Sequence, residues 1–323
     1  MKRYNLRRVR KHQLLLILTG WLLMAGTFAW GQPASVSGTL GAVGSDTMAG
    51  LVLRWGEALN ARYPDINLQF QAGGSASAPT ALMAGTTRLG PMSRPMTHAE
   101  RQQFIDRYGY PPLELRVARD ALVVVVHRHN PLDTLTLPQV DAIFSTSLAC
   151  GSPRHIRRWS ALMPMSDWPY GQIALHGRNL ASGTYGLFQA RALCGGEFRL
   201  DISEHPGSSA VIAAVGASFN AMGYAGYNHL NPMVSALRLV DESGVAVAPT
   251  ERSIQQGSYP LSRDLYLYVN LPPGEPLPPV EQAFLALIFS EEGQQIVKAA
   301  GFVPLPKHLR DAQSLDDAQQ QRP

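Results

Sequence analysis

The segment Ile173–Phe188, IALHGRNLASGTYGLF, has the pattern that decides the fold. A strand is predicted at Ile173–His176 and a helix at Ser182–Leu193, and the small and polar residues Gly177–Thr184 form the turn that opens the helix. The same order of apolar strand, small-residue turn and amphipathic helix recurs along the chain. Repeated units of this kind predict an α/β fold with a mostly parallel sheet.

Three further units of strand, turn and helix precede this segment. Pro64 ends the first of their helices, and Thr97 and Glu100 have the capping-box spacing that opens the third. The predicted strands are 41–45, 66–70 and 87–91, and the predicted helices are 48–63, one within 73–85 and one from 97 onward.

Two long β-prone segments, Leu113–His127 (LELRVARDALVVVVH) and Leu261–Asn270 (LSRDLYLYVN), are long enough to leave one lobe and enter another. A chain of 323 residues also exceeds what a single core usually serves. The elements predicted between the crossings are helices at 137–144, 182–193 and 209–216 and strands at 173–176 and 222–227. Helices at 280–289 and 291–300 are expected to close the first lobe.

The predicted domains are a first lobe of residues 32–118 plus 262–310, a second lobe of residues 119–261, and a flexible tail of residues 311–323. Two crossings between α/β lobes make a hinge beside a cleft. Ligands of open α/β sheets bind beyond the carboxyl ends of the strands, at helix N-termini. We therefore expect the ligand between the lobes.

Residues 1–31 are predicted to form a cleaved secretory signal peptide. Met1–His12 has six basic and no acidic residues, an apolar stretch follows to Trp30, and Ala29 and Gly31 have the small-residue spacing of a cleavage site. A retained membrane anchor is the alternative, because the apolar stretch approaches spanning length. A periplasmic or secreted protein is therefore expected.

The charge balance gives no support for nucleic-acid binding. The chain has 28 basic and 24 acidic residues, and removing the six basic residues of the leader leaves 22 against 24, or −2. The basic isoelectric point thus belongs to the leader, and bulk charge does not favour nucleic acid or anionic membranes. The basic run RHIRRW (154–159) is interpreted as a surface turn, with partner docking as the alternative.

Cys150 and Cys194 are the only cysteines of the chain. An even number in an exported protein indicates one disulfide, and two separate buried thiols are the alternative. No set of metal ligands accompanies them in the sequence.

Four small-residue turns lie where a cleft ligand would need them: Gly44–Thr47, Gly73–Ser77, Pro91–Arg94 and Gly177–Thr184. A helix N-terminus has unpaired N–H groups and partial positive charge, glycine permits close approach, and Ser and Thr hydroxyls donate to oxygen ligands. Arginine adds a planar bidentate donor. Each turn alone is most simply a cap or a loop, but the ordered set indicates a small tetrahedral oxyanion.

Six segments resemble, in order, motifs of the periplasmic phosphate-binding proteins of ABC transporters: GSDT (44–47), GGSASA (73–78), PMSRPM (91–96), GRNLASGTYGLF (177–188), GYAGY (223–227) and YPLSRDLYLYV (259–269). The resemblance covers nearly the whole chain after the leader. It implies a two-lobed type II periplasmic-binding-protein fold, phosphate as ligand, ABC permease subunits as partners, a monomer, no cofactor and no enzymatic activity.

Carried over by position, the resemblance implies a set of ligand-binding residues. They are Ser45, Asp46, Thr47, Gly74, Ser75, Ser93, Arg94, Arg178, Ser182, Gly183 and Thr184. One branch of the family has a proton-accepting Asp where Arg94 follows Ser93 here. Asp46 is then the candidate acceptor of the phosphate proton, and a plain helix-capping role for it stays open.

Two other functions remain as alternatives. One is a secreted low-molecular-weight phosphatase similar to this family, although the sequence lacks a convincing nucleophile with its base and a metal cluster. The other is a phosphate scavenger or sensor without a transporter. His127 and His129, on one face of a strand, are a weak candidate metal pair, and His176 is interpreted as structural.

Overall fold

The computed structural model describes residues 36–313, so the predicted signal peptide, the alternative anchor and residues 314–323 of the tail lie outside it. The strands are β1 (Gly38–Val43), β2 (Ile66–Gln71), β3 (Leu89–Met92), β4 (Leu113–His127), β5 (Thr134–Thr136), β6 (Ala174–Arg178), β7 (Ser203–His205), β8 (Ala221–Gly226), β9 (Val234–Ala236), β10 (Arg238–Val240), β11 (Ala246–Val247) and β12 (Ser262–Val269). The helices are α1 (Ala49–Arg62), α2 (Ser77–Ala84), α3 (His98–Tyr108), α4 (Leu137–Phe144), α5 (Gly183–Ala192), α6 (Ser208–Gly216), α7 (Glu251–Gln256), α8 (Pro279–Phe289), α9 (Glu291–Ala299) and α10 (Lys307–Asp311).

One sheet connects the strands in the order β2-β1-β3-β12-β4-β8-β6-β7, with β9 also paired to β4. Strands β1, β2 and β3 are mutually parallel, and so are β6, β7 and β8. The long strand β4 is antiparallel to its neighbours, pairing with β12 as far as Ala121 and with β8 from Leu122. We call the half around β1–β3 the first lobe and the half around β6–β8 the second lobe.

The two closing helices pack on the first lobe, as predicted. Trp55 of α1 is almost fully buried, meets Phe284 of α8 edge to face at 6.3 Å, and donates its indole N–H to the carbonyl of Gly293 at 3.0 Å. Burying a tryptophan contributes several kcal/mol, since Trp→Ala in a core costs about 3–5 kcal/mol. The capping box at Thr97 and Glu100 is also present and opens α3.

The second lobe has an aromatic core and the predicted disulfide. Phe188 of α5 stacks on Tyr224 of β8 at 3.9 Å, and Phe144 of α4 packs edge-on against Phe188. Cys150 and Cys194 are bonded, with Cα atoms 5.4 Å apart. The disulfide therefore links the segment after α4 to the end of α5.

Among residues 36–313, no helix is long and apolar enough to cross a membrane.

Candidate anion-binding site

The predicted turns follow the carboxyl ends of parallel strands and meet at one place. The turn after β1 and the turn before α2 are joined by the Gly74 N–H, which donates to the carbonyl of Gly44 at 2.9 Å. The turn after β3 joins them because the Ser45 N–H donates to the carbonyl of Pro91 at 2.7 Å. The three first-lobe turns are thus hydrogen-bonded into one surface, which contacts the N-terminus of α5.

Two glycines let this surface touch the second lobe. Gly74 has a φ of +90°, and a Cβ added there would lie 2.4 Å from the carbonyl oxygen of Ala181. A Cβ on Gly183 would lie 2.3 Å from Ser75 Oγ and 2.5 Å from Ser93 Oγ. Real Cβ atoms do not approach this closely, so a larger residue at either position would keep the lobes apart.

Hydroxyl groups at the contact are hydrogen-bonded to one another, one pair across the lobes and one pair within the first lobe. Thr47 Oγ1 and Thr184 Oγ1 are 3.1 Å apart, and Ser75 Oγ is 3.2 Å from Ser93 Oγ. Ser182 is the N-cap of α5 and accepts the Thr184 N–H at 3.2 Å. The structure therefore brings these predicted donors together at helix N-termini, where partial positive charge favours an anion.

Arg178 is buried at the end of β6 and is held from several sides. Its Nη1 donates to Ser208 Oγ at 3.1 Å, its Nε to the carbonyl of His205 at 3.3 Å, and its Nη2 to the carbonyl of Pro206 at 2.9 Å. Nη2 also donates to Asp46 Oδ2 across the lobe contact. Burial lowers the pKa of Arg178 from its ordinary value, and the Asp46 carboxylate opposes that shift.

Asp46 does not cap α1, because the first turn of that helix has no side-chain cap. The capping interpretation of Asp46 is therefore wrong. One carboxylate oxygen pairs with Arg178, and the other, Oδ1, is buried with no hydrogen-bond partner among residues 36–313. Ser45 Oγ, at 0% exposure, is likewise unpaired within the described chain. Two buried polar atoms that need a partner thus lie on consecutive residues of the first turn.

Arg94 pairs with Glu100 and not with the hydroxyl donors described above. Its guanidinium binds both carboxylate oxygens of Glu100 at 2.7 Å, and Glu100 also caps α3. The hydrogen bond and charge of Arg94 hold the pKa of Glu100 below its usual value despite burial. The described contacts of Arg94 are therefore those of an arginine that fixes the third turn to its own lobe.

Three residues of the site were not predicted from the sequence: Asp120, Ser208 and Arg263. Arg263 Nη1 donates to Thr184 Oγ1 at 3.2 Å and to the carbonyl of Ser93 at 3.1 Å, while Ser208 supports Arg178. The only available signal was the charged pattern inside two β-prone segments, SRD in one crossing and ARD in the other. In a strand that pattern is also typical of an exposed edge.

His229 lies beside this cluster of donors: burial lowers its pKa, and the charges of Asp120, Arg178 and Arg263 act on it. The histidines that the sequence singled out have other partners. His176 Nδ1 and His205 Nε2 are 3.0 Å apart on neighbouring strands, and His127 packs against His129 and Phe219. Within the described part of the chain no group of three or more His, Cys, Asp or Glu side chains is placed to hold a metal ion.

Comparison with known proteins agrees with this geometry. The sequence profile of the PBP superfamily domain matches residues 31–292. The phosphate-binding protein PstS of Pseudomonas aeruginosa is 46% identical over 281 residues, 87% of each chain, and that of Staphylococcus saprophyticus is 26% identical over 85% of this chain and 83% of its own. An ABC-type phosphate transport receptor from Vibrio cholerae has the same fold, with a TM-score of 0.66 at 20% identity over 83% of this chain and all of the other.

Parallel strands in two lobes, two antiparallel crossings and facing donor loops define a solute-binding protein. The chain belongs to the family of PstS phosphate-binding proteins within the PBP superfamily. The predicted family and fold class are confirmed. The relatives are named as binding proteins, and this agrees with the prediction of a binding protein rather than a phosphatase.

Proposed function

We propose that this protein binds inorganic phosphate between its lobes, with Ser45, Asp46, Thr47, Ser75 and Arg178 among the ligand-binding residues. The observation that carries the proposal is the pair of buried, unpartnered polar atoms Ser45 Oγ and Asp46 Oδ1 beside the Arg178 guanidinium. A hydroxyl can donate to a phosphate oxygen, and a carboxylate oxygen accepts a phosphate O–H. Monohydrogen phosphate offers both partners, whereas sulfate offers only acceptors.

The same proposal gives a role to the predicted lobes, residues 32–118 plus 262–310 and residues 119–261. Donors from both lobes are expected to contact one anion, so ligand binding favours the closed arrangement. The Vibrio cholerae protein of the same fold is named an ABC-type phosphate transport receptor, and we infer that this chain is exported and delivers phosphate to ABC permease subunits as a monomer. The surface that meets a permease would then change with closure.

The test is calorimetric titration of protein from which bound anion has been removed by dialysis under denaturant. Phosphate should bind, and at 100 times its Kd it should stabilise the fold by about 2.7 kcal/mol. Arg178→Ala should weaken phosphate binding by roughly 3 kcal/mol, about 150-fold, because it leaves the Asp46 carboxylate without its counter-charge beside the anion.

Arg199→Ala is the matched control. Arg199 is also a buried second-lobe arginine, paired with Asp201 and with the carbonyl of Ile143 at 3.0 Å, but it contacts none of the donor loops. It should lower the melting temperature and leave the Kd for phosphate unchanged. Failure of the wild-type protein to bind phosphate would refute the proposed function.

A further inference from the structure

Arg263 and Asp120 form a buried ion pair on the two crossing strands. They are register partners of β12 and β4, and their side chains are 1% and 0% exposed. Nε and Nη2 of Arg263 both donate to Asp120 Oδ2, at 2.9 Å and 2.6 Å. With two donors fixed on one oxygen, the plane and direction of the guanidinium are set by the crossing strands.

The free edge of that guanidinium contacts both lobes of the candidate site. Nη1 donates to the carbonyl of Ser93, in the third first-lobe turn, at 3.1 Å. The same nitrogen donates to Thr184 Oγ1, at the N-terminus of α5 in the second lobe, at 3.2 Å. One side chain rooted at the hinge therefore joins the two surfaces that are expected to close on the ligand.

The bond to Thr184 also decides what the threonine hydroxyl can do. A hydroxyl has one proton and two acceptor positions, whereas a guanidinium can only donate. Since Arg263 fills an acceptor position of Thr184 Oγ1, the proton of Thr184 must point to another oxygen. The oxygens available are Thr47 Oγ1, at 3.1 Å, and a bound anion.

We propose that Arg263 is a positioning residue of the anion site, which orients the Thr184 hydroxyl as a donor to the ligand and links closure of the two lobes to the crossing strands. Asp120 keeps Arg263 in place and neutralises its charge. This inference rests on the proposed binding of an oxyanion between the lobes. It assigns a role to the SRD segment of β12 that the ligand-binding set leaves unexplained.

The experiment is a double-mutant cycle between the ion pair and Thr184. Removing Arg263 alone would leave Asp120 as an unpaired buried charge, so the ion pair is replaced as a unit by Asp120→Asn with Arg263→Met. The second arm is Thr184→Val, which keeps the shape and removes the hydroxyl. Kd values for phosphate are measured by calorimetry on wild type, each arm and the combination, with folding checked by thermal melts.

Each arm alone should weaken phosphate binding about tenfold, the size of one lost hydrogen bond. In the combined variant the losses should overlap. Its Kd should be at least fivefold lower than the value obtained by multiplying the two single fold-changes, which is the value expected if the effects were independent. Arg199→Met, another buried arginine, should lower the melting temperature without coupling to Thr184→Val.

The positioning role would be overturned if the two arms acted independently, or if folded protein without the ion pair bound phosphate as tightly as wild type. The proposal that the protein binds phosphate would survive either result. A wild-type protein that binds no oxyanion would overturn both, and the wild-type titration separates the two cases. Melting temperatures that fall in all variants with equal Kd values would show a purely structural ion pair and would also refute the proposal.

Discussion

Replacing Asp46 with Asn tests how the site distinguishes phosphate from sulfate. The carboxylate uses Oδ2 to accept from Arg178, and its Oδ1 is buried without a partner in residues 36–313. Asn keeps the size of the side chain and removes its charge. Because Asp46 makes no cap in α1, the change leaves the helix N-terminus unaltered.

The magnitude follows from what each anion can do with Oδ1. The repulsion between the carboxylate and a dianion acts on sulfate and on monohydrogen phosphate alike, so it largely cancels in the ratio of their Kd values. Only phosphate has an O–H to donate, and a hydrogen bond to a charged acceptor contributes about 2 kcal/mol. Asp46→Asn should therefore lower the preference for phosphate over sulfate by about 30-fold.

The assay is titration of both anions above neutral pH, where monohydrogen phosphate prevails. Glu57→Gln is the matched control, since it removes the same charge from the exposed face of α1. It should leave both Kd values and their ratio unchanged. If Asp46→Asn shifts both Kd values in parallel, so that their ratio stays within threefold of wild type, Asp46 acts only as a partner of Arg178 and the reasoning is refuted.

Three further predictions concern stability and closure. Reducing the bond between Cys150 and Cys194, which closes a loop with a sequence separation of 44, should lower the free energy of unfolding by about 4 kcal/mol in urea titrations; equal midpoints with and without reductant would contradict this. Burial lowers the pKa of His176 and of His205 below 6.5, so the unfolded state binds more protons below that pH and the free energy of unfolding should fall as pH drops through about 6.5. Urea titrations in phosphate-free buffers measure this, and replacing both histidines with Asn should reduce the slope; the same slope in wild type and variant would refute it. Gly183→Ala should abolish ligand-driven compaction in small-angle scattering, because the added methyl group would collide with the serine hydroxyls of the first lobe; wild-type compaction would count against it.

The long elements were predictable because their sequences leave little choice. Leu113–His127 begins with alternating apolar and charged residues and ends in an apolar, largely β-branched run, and the structure has β4 at those residues. The strands β5, β7, β9, β10 and β11 were missed, since two or three residues show no periodicity and their pairing depends on distant neighbours. Short strands owe their existence to the sheet they join and not to their own sequence.

The residues of the site also divide into those that could be predicted from the sequence and those that could not. Turn residues such as Ser75 and Thr184 were predictable, because a helix N-terminus after a strand is itself a local pattern with a known preference for anions. The buried pair of Arg263 and Asp120 was not, since the partners are 143 residues apart and only the antiparallel register of β4 and β12 brings them together. A charged residue in a strand shows its role only when its neighbour across the sheet is known.

The ion pairs also change the physical picture of how the site attracts an anion. Arg178 is paired with Asp46 and Arg263 with Asp120, so the four charged side chains at the contact sum to zero. Three carbonyl or hydroxyl partners besides Asp46 use most of the Arg178 N–H groups, which leaves little of the bidentate grip expected from the sequence. Affinity must then come chiefly from neutral donors, the Ser and Thr hydroxyls and the N–H groups of helix N-termini, brought together by closure. Such donors discriminate by geometry and by proton position, which bulk positive charge cannot do.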